Sequence, residues 1–188
     1  MIRRLSFLIL LAGLILLAGC ATGPTKPADN KAEAERQFAL GEYQQAAQSF
    51  IALSQQAGTN QRTLLLLRAS AAFARADNLY QARQIFKSIP LDTRNRTQVL
   101  LSQLVESHIA LMERRPGDVL LNLSSKPSPS IDPAYLADYH RVRAEAYTML
   151  GNRLETAREL VRREKYLTDP TLVEANQKAI WQALAMLS

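Results

Sequence analysis

Leu40-Gly41-Glu42-Tyr43-Gln44-Gln45-Ala46, followed by Phe50, is the stretch on which the fold turns. It recurs in looser form as Asp77-Asn78-Leu79-Tyr80-Gln81-Ala82, followed by Phe86, a period of about 36 residues. Pro116-Gly117-Asp118-Val119-Leu120-Leu121 is a degraded third copy, and Gly151-Asn152-Arg153-Leu154-Glu155-Thr156-Ala157, with Val161 after it, is a fourth. A small residue lets two helices approach, and a larger one a turn later fills the next layer. Ala46 with Phe50, Ala82 with Phe86, and Ala157 with Val161 are therefore expected at helix crossings. Ser70 with Phe73, and Ala144 with Tyr147, supply matching faces on the preceding helices.

Around these copies the composition is that of helices. Ala, Leu, Gln, Arg and Glu dominate beyond Lys31, and alternating apolar and polar runs bounded by turn residues do not recur. Gly and Pro fall between the apolar-periodic stretches and cut the chain into about nine helices, predicted over 31–40, 43–57, 61–76, 79–89, 93–114, 117–124, 133–150, 153–167 and 172–187. Asp132 before Pro133 reads as an N-cap with proline at the first helical position, and Thr171 with Glu174 as a capping box before the last helix. The period resembles that of the tetratricopeptide repeat, about 34 residues. The expectation is an all-α, TPR-like solenoid of antiparallel helix hairpins, with a plain helical bundle as the alternative. Ser124-Ser125-Lys126-Pro127-Ser128-Pro129-Ser130 is expected to be a long loop between repeats of one continuous array.

The N-terminus reads differently. Met1-Ile2-Arg3-Arg4 is a positive head, Phe7 to Leu17 is uncharged and apolar, and the run closes on Leu17-Ala18-Gly19-Cys20. It is shorter than the roughly 20 apolar residues of a spanning helix and has the layout of a secretory signal. The stretch resembles a bacterial lipobox, which implies cleavage before Cys20 and acylation of that residue. Ala21 after it, by the same resemblance, implies the outer membrane, with the protein facing the periplasm. The domain plan is then a signal peptide over 1–19, a lipidated flexible tether over 20–30 and a helical domain over 31–188. A second acyl chain converts reversible into stable anchoring.

Charge and chemistry narrow the function. The net charge is +6, but Arg3 and Arg4 belong to the leader, so the remainder is only mildly basic and nucleic acid is not an expected partner. Cys20 is the only cysteine, so no disulfide staples the fold, and His108 and His140 lack neighbours at metal-ligand spacing. No nucleophile elbow, phosphate loop or paired-histidine motif occurs, so neither an enzyme nor a cofactor is expected. Glu106 and His108 are two apart on a helix and do not face each other; both are expected to be solvated or satisfied by caps, as is His140 beside Arg141 and Arg143. Arg158, Arg162, Arg163 and Lys165 are the densest basic group, with Glu159 and Glu164 interleaved and Glu159 placed to pair with Arg163. The bland reading is a solvated face; the functional one is a surface for an acidic partner or for the carboxylates of peptidoglycan. Trp181 is expected to seal the last repeat.

Four stretches taken together resemble one family: the lipobox, Leu65-Leu66-Leu67-Arg68-Ala69 leading through Gln81-Ala82 to Ile85-Phe86-Lys87-Ser88-Ile89-Pro90, the segment Arg141 to Ala157, and Asn176-Gln177-Lys178-Ala179-Ile180-Trp181-Gln182-Ala183-Leu184. They are similar to the N-terminal, TPR-like domain of the LpoA-type (LppC-like) penicillin-binding protein activators. The resemblance implies an outer-membrane lipoprotein that reaches a class A penicillin-binding protein and stimulates peptidoglycan synthesis without being an enzyme. Members of that family continue into a larger α/β domain that contacts the synthase, whereas this sequence ends at Ser188. The expectation is a fragment, a split gene product or a short homologue, and the activating contact falls on no residue here. The alternative is a TPR-like adaptor lipoprotein of pilus or outer-membrane-protein assembly. A wall hydrolase is disfavoured because catalytic carboxylates do not cluster.

Overall fold

The computed structural model describes residues 27–93 and 95–185, so the leader, Cys20 and most of the tether lie outside the described residues. Within them the chain is all helix and turn: α1 (Pro27–Leu40), α2 (Tyr43–Gln56), α3 (Thr59–Arg75), α4 (Leu79–Ser88), α5 (Arg96–Met112), α6 (Pro116–Asn122), α7 (Pro133–Met149), α8 (Arg153–Glu164) and α9 (Pro170–Ala185). Among the described residues none of these is long and apolar enough to cross a membrane. The expected helices are present with shifted ends. The first starts at Pro27, inside the stretch expected to be tether, and α5 starts after Asn95, whose side chain accepts from Thr97 N and Gln98 N.

The repeat is most visible in the backbone. Gly41, Asp77, Arg114 and Gly151 all have positive φ, at 89°, 60°, 60° and 72°. Each follows a first helix, α1, α3, α5 or α7, and each is clamped the same way: Glu42 N donates to Gln37 O, Asn78 N to Phe73 O, Arg115 N to Ala110 O and Asn152 N to Tyr147 O, all at 2.8–2.9 Å. This is the left-handed helix stop of the Schellman type, which satisfies carbonyls left over at a helix end. The third copy carries the turn on Arg114, so its degradation is confined to the side chains, and Gly117 is not the turn residue.

Counting from these turns changes the register of the fourth copy. The equivalents of Ala46, both in place and in burial, are Ala82, Val119 and Thr156, and the equivalents of Phe50 are Phe86, Leu123 and Leu160. Leu160, not Val161, therefore faces inward, and Val161 is 51% exposed. The expected pairing of Ala157 with Val161 is off by one residue, although Ala157 is itself buried. Ala34, Ser70, Ser107 and Ala144 occupy the matching place on the first helices, and all are buried. Ser70 Oγ donates to Ala82 O at 2.7 Å, tying α3 to α4 at the crossing.

Each first helix packs against its own partner, and α3 also contacts α5, as α5 does α7, which makes a solenoid. The seam after α6 stays within one array: α6 touches both α5 and α7, and Arg143 Nη1 donates to Leu123 O at 2.6 Å, close to the Tyr139 hydroxyl at 2.9 Å from the same carbonyl. Asp132 caps α7 through Ala134 N, with Pro133 first in the helix, as expected. The last helix is capped differently from the expectation. Asp169, one residue before Pro170, accepts from Thr171 N at 2.8 Å, so Thr171 lies inside α9.

The turn geometry makes Arg114→Gly informative. Arg114 is exposed and holds a left-handed conformation that costs an L-residue roughly 1–2 kcal/mol. Replacement by glycine is expected to raise stability in urea unfolding by about 1 kcal/mol, whereas Gly151→Ala is expected to lower it.

Candidate functional site: a cleft floored by buried ion pairs

The first helices bring charges to the centre of the array. Arg68 follows Leu65, Leu66 and Leu67 on α3, and the helical period turns it inward, where its side chain is 2% exposed. Its Nη2 reaches Glu35 Oε2 on α1 at 2.5 Å, its Nε lies 3.1 Å from the same oxygen, and Nη1 donates to Asp138 Oδ2 on α7 at 2.8 Å. The guanidinium sits 4.0 Å from the centre of the Phe38 ring. Asp138 Oδ1 accepts from Arg141 Nη2 at 2.6 Å, and Arg141 Nη1 donates to the Tyr43 hydroxyl on α2 at 2.7 Å. Arg75 extends the chain, donating to Glu145 Oε2 at 2.6 Å. One network of charges thus touches α1, α2, α3, α5 and α7, the α5 member being His108, whose Nε2 lies 3.1 Å from Asp138 Oδ2.

Burial and partners set the protonation states. Burial alone would raise the Asp138 carboxyl, but the His108 ring, Arg141 and Arg68 outweigh it and hold it well below the ordinary 3.8. Burial pushes Glu35 up, and Arg68 offsets part of that rise. His108 is lowered from 6.5 by burial, which exceeds the pull of Asp138. It is therefore neutral near pH 7 and donates from Nε2, which leaves Nδ1 buried without a hydrogen-bond partner among the described residues. The expectation of a solvated or cap-satisfied His108 is overturned: its position on α5 points to the core, while Glu106 points out.

Above this floor lies a cleft of about 690 Å³, walled by α1, α7, the turn between α8 and α9, and Leu172 of α9. Its cations are matched one after another. Lys31 meets Asp132 at 3.0 Å, Arg36 meets Asp169 at 3.0 Å, Arg68 meets Glu35 at 2.5 Å, and Arg141 meets Asp138, which Arg68 also reaches. Arg163 is the exception. It is 9% exposed, its Nη1 donates to the neutral Asn176 Oδ1 at 3.2 Å, and its Nε is buried with no partner among the described residues. Burial and the neighbouring Arg141 lower its pKa to about 10.

The basic group of α8 is accordingly not one patch. Arg163 turns inward and takes Asn176 instead of Glu159. Glu159 is 1% exposed and binds Arg143 Nε at 3.1 Å, Arg162 Nη1 at 2.8 Å and His140 Nδ1 at 2.7 Å, so it ties α7 to α8. Arg158 pairs with Glu155, and Lys165 is exposed. His140 is not solvated either: it stacks on Tyr166 with ring centres 5.7 Å apart. Trp181 is 71% exposed and seals nothing; Asn176 is the buried residue of α9, its Nδ2 donating to Leu160 O at 2.9 Å. Among the described residues no group of His, Cys, Asp and Glu is arranged to hold a metal ion.

Arg68, Asp138, Glu35 and Arg141 did not stand out in the sequence. The available signal was a charge enclosed by apolar neighbours, as in Leu67-Arg68-Ala69, at a position whose helical phase points inward.

The buried histidine dictates an acid response. Because His108 is held neutral in the fold, the unfolded chain takes its proton first as the pH falls through 6.5, and stability drops until the lower folded value is reached. Glu35, raised in the fold, acts with the opposite sign above 4.5. His108→Gln is expected to remove the histidine part alone, so that urea midpoints at pH 7.5 and 5.5 converge relative to the unaltered chain by about 1 kcal/mol. Equal pH dependence in both would contradict a neutral buried His108.

Two comparisons bear on what such an array belongs to. The sequence profile described as "LppC putative lipoprotein" matches residues 42–188, which takes in every helix from α2 to α9. Penicillin-binding protein activator LpoA of Vibrio vulnificus is 28% identical over 167 residues, covering 89% of this chain and 26% of that protein. The chain thus spans about a quarter of the length of that curated relative. No solved structure matches. With the profile running from α2 to α9 and through the turns at Asp77, Arg114 and Gly151, the chain belongs to the LppC family.

Proposed function

We propose that this chain is the helical part of an outer-membrane lipoprotein that acts, without catalysis of its own, as a regulator or scaffold of peptidoglycan synthesis, with a class A penicillin-binding protein as its partner. The observation that carries the reading is the LppC match over residues 42–188, alongside a relative whose name is that of a penicillin-binding protein activator. The fold is consistent with it. A solenoid offers long surfaces for contact, and Arg158 and Arg162 of α8, with Lys165 just after it, remain exposed for an acidic partner, with Arg163 withdrawn from that surface. Cys20 supplies the anchor in this reading, and Ala21 to Lys26 join it to the start of α1.

Two experiments test the parts separately. Cys20→Ser is expected to abolish incorporation of labelled palmitate in cells and to move the chain from the outer-membrane fraction to the soluble periplasm; unchanged membrane retention would remove the anchor from the account. The purified chain is expected to capture a detergent-solubilised class A penicillin-binding protein and to raise its rate of glycan-strand polymerisation. Absence of both effects counts against the partner. Recovery of only pilus or outer-membrane-protein assembly factors after periplasmic crosslinking would favour an adaptor role instead.

A further inference from the structure

We propose that the cleft between α1, α7 and the α8–α9 turn is a binding site for the terminal carboxylate of a short, apolar peptide, with Arg163 as the cation that receives it. Three observations meet there. Arg163 lines the cleft, is nine-tenths buried, and among the described residues has an unpartnered Nε and no carboxylate on its guanidinium. With Glu35 on Arg68 counted, the described lining sets five cations, Lys31, Arg36, Arg68, Arg141 and Arg163, against four carboxylates, Glu35, Asp132, Asp138 and Asp169, so the cleft carries one positive charge in excess. A buried charge left in this state is costly, and an incoming anion removes the cost.

The ligand's class follows from what surrounds that charge. One surplus cation matches a monoanion, while Asp132, Asp138 and Asp169 stand around the same space and would repel a dianion such as phosphate. Planar carboxylates suit the guanidinium fork. Pro133, Ala137, Leu167 and Leu172 give the rest of the cleft small apolar surfaces, which fit methyl-sized side chains better than further charges. The volume, about 690 Å³, is within the range of sites for small ligands. The site depends on its own lining, so a failure here leaves the synthase contact standing, and a failure of that contact leaves the site.

The test uses the purified full chain and five probes in calorimetric titration: N-acetyl-Ala-Ala with a free carboxylate, the same peptide as its C-terminal amide, sodium acetate, inorganic phosphate, and a peptide amide with an internal Asp. The peptide carboxylate is expected to bind saturably, the amide and Arg163→Gln each weakening it by about tenfold or more, and acetate and phosphate to bind more weakly than the peptide. Equal binding of carboxylate and amide, tighter binding of phosphate, acetate binding as tightly as the peptide, or no binding of the peptide overturns the proposal. So does capture of an internal Asp-containing peptide amide as tightly as the free carboxylate, since that points to a protein side chain. Among the described residues Arg163 has no ion-pair partner, so R163Q is expected to melt no lower than the unaltered chain. If it does fail to fold, the carboxylate and amide arms on the unaltered chain decide.

Discussion

The salt bridge from Arg68 to Asp138 is the constraint on which the rest of the molecule depends. It joins the second hairpin to the fourth across the interior, and both side chains are almost wholly removed from water. Such a pair is poor evidence of net stability, because taking two charges out of water offsets most of their attraction. Its consequence is geometric. Once one charge is inside, the other must be there too, and Glu35, Arg141 and His108 must satisfy the remaining atoms. The first helices therefore cannot slide or rotate past one another without stranding a charge. An apolar seam of leucines would tolerate such sliding far better.

That fixed floor explains the cleft. Charges gathered where α1, α3, α5 and α7 converge are neutralised pairwise, and α1 closes over the floor through Phe38, which lies edge-on to His108. Arg163 enters from α8 after the carboxylates have been taken, and it meets only an amide oxygen. The same packing that satisfies the charges on α1, α3, α5 and α7 leaves one cation over on α8. Electrostatic surplus and an open volume coincide at that point, which is what a receptor for a small anion requires.

The helical class and the hairpin plan were legible in Leu40-Gly41-Glu42-Tyr43-Gln44-Gln45-Ala46 and its echo at Ala82, because glycine and small residues advertise turns and crossings. The later copies were harder. Arg114 takes the left-handed turn with no glycine to announce it, and Gly117, which looks like a turn residue, is not one. In the fourth copy Thr156 stands where alanine stood before, and the adjacent Ala157 drew the register one residue astray. The ion network was nearly invisible, since which carboxylate an arginine meets is decided between helices far apart in the chain. Arg163 shows the limit most plainly: charge density placed it on a surface with Arg158 and Arg162, and only the packing of α9 through Asn176 puts it inside.

A double-mutant cycle between Arg68 and Asp138 tests the central claim most directly, with Arg68→Met, Asp138→Leu and the double variant compared in urea unfolding at pH 7.5. Each single change strands a buried charge, at a cost of roughly 3–5 kcal/mol. The double variant is expected to recover part of that loss, with a coupling energy on the order of 1–3 kcal/mol. Additive losses within about 0.5 kcal/mol would mean that the two charges do not meet in the folded protein, and the interior described here would be wrong.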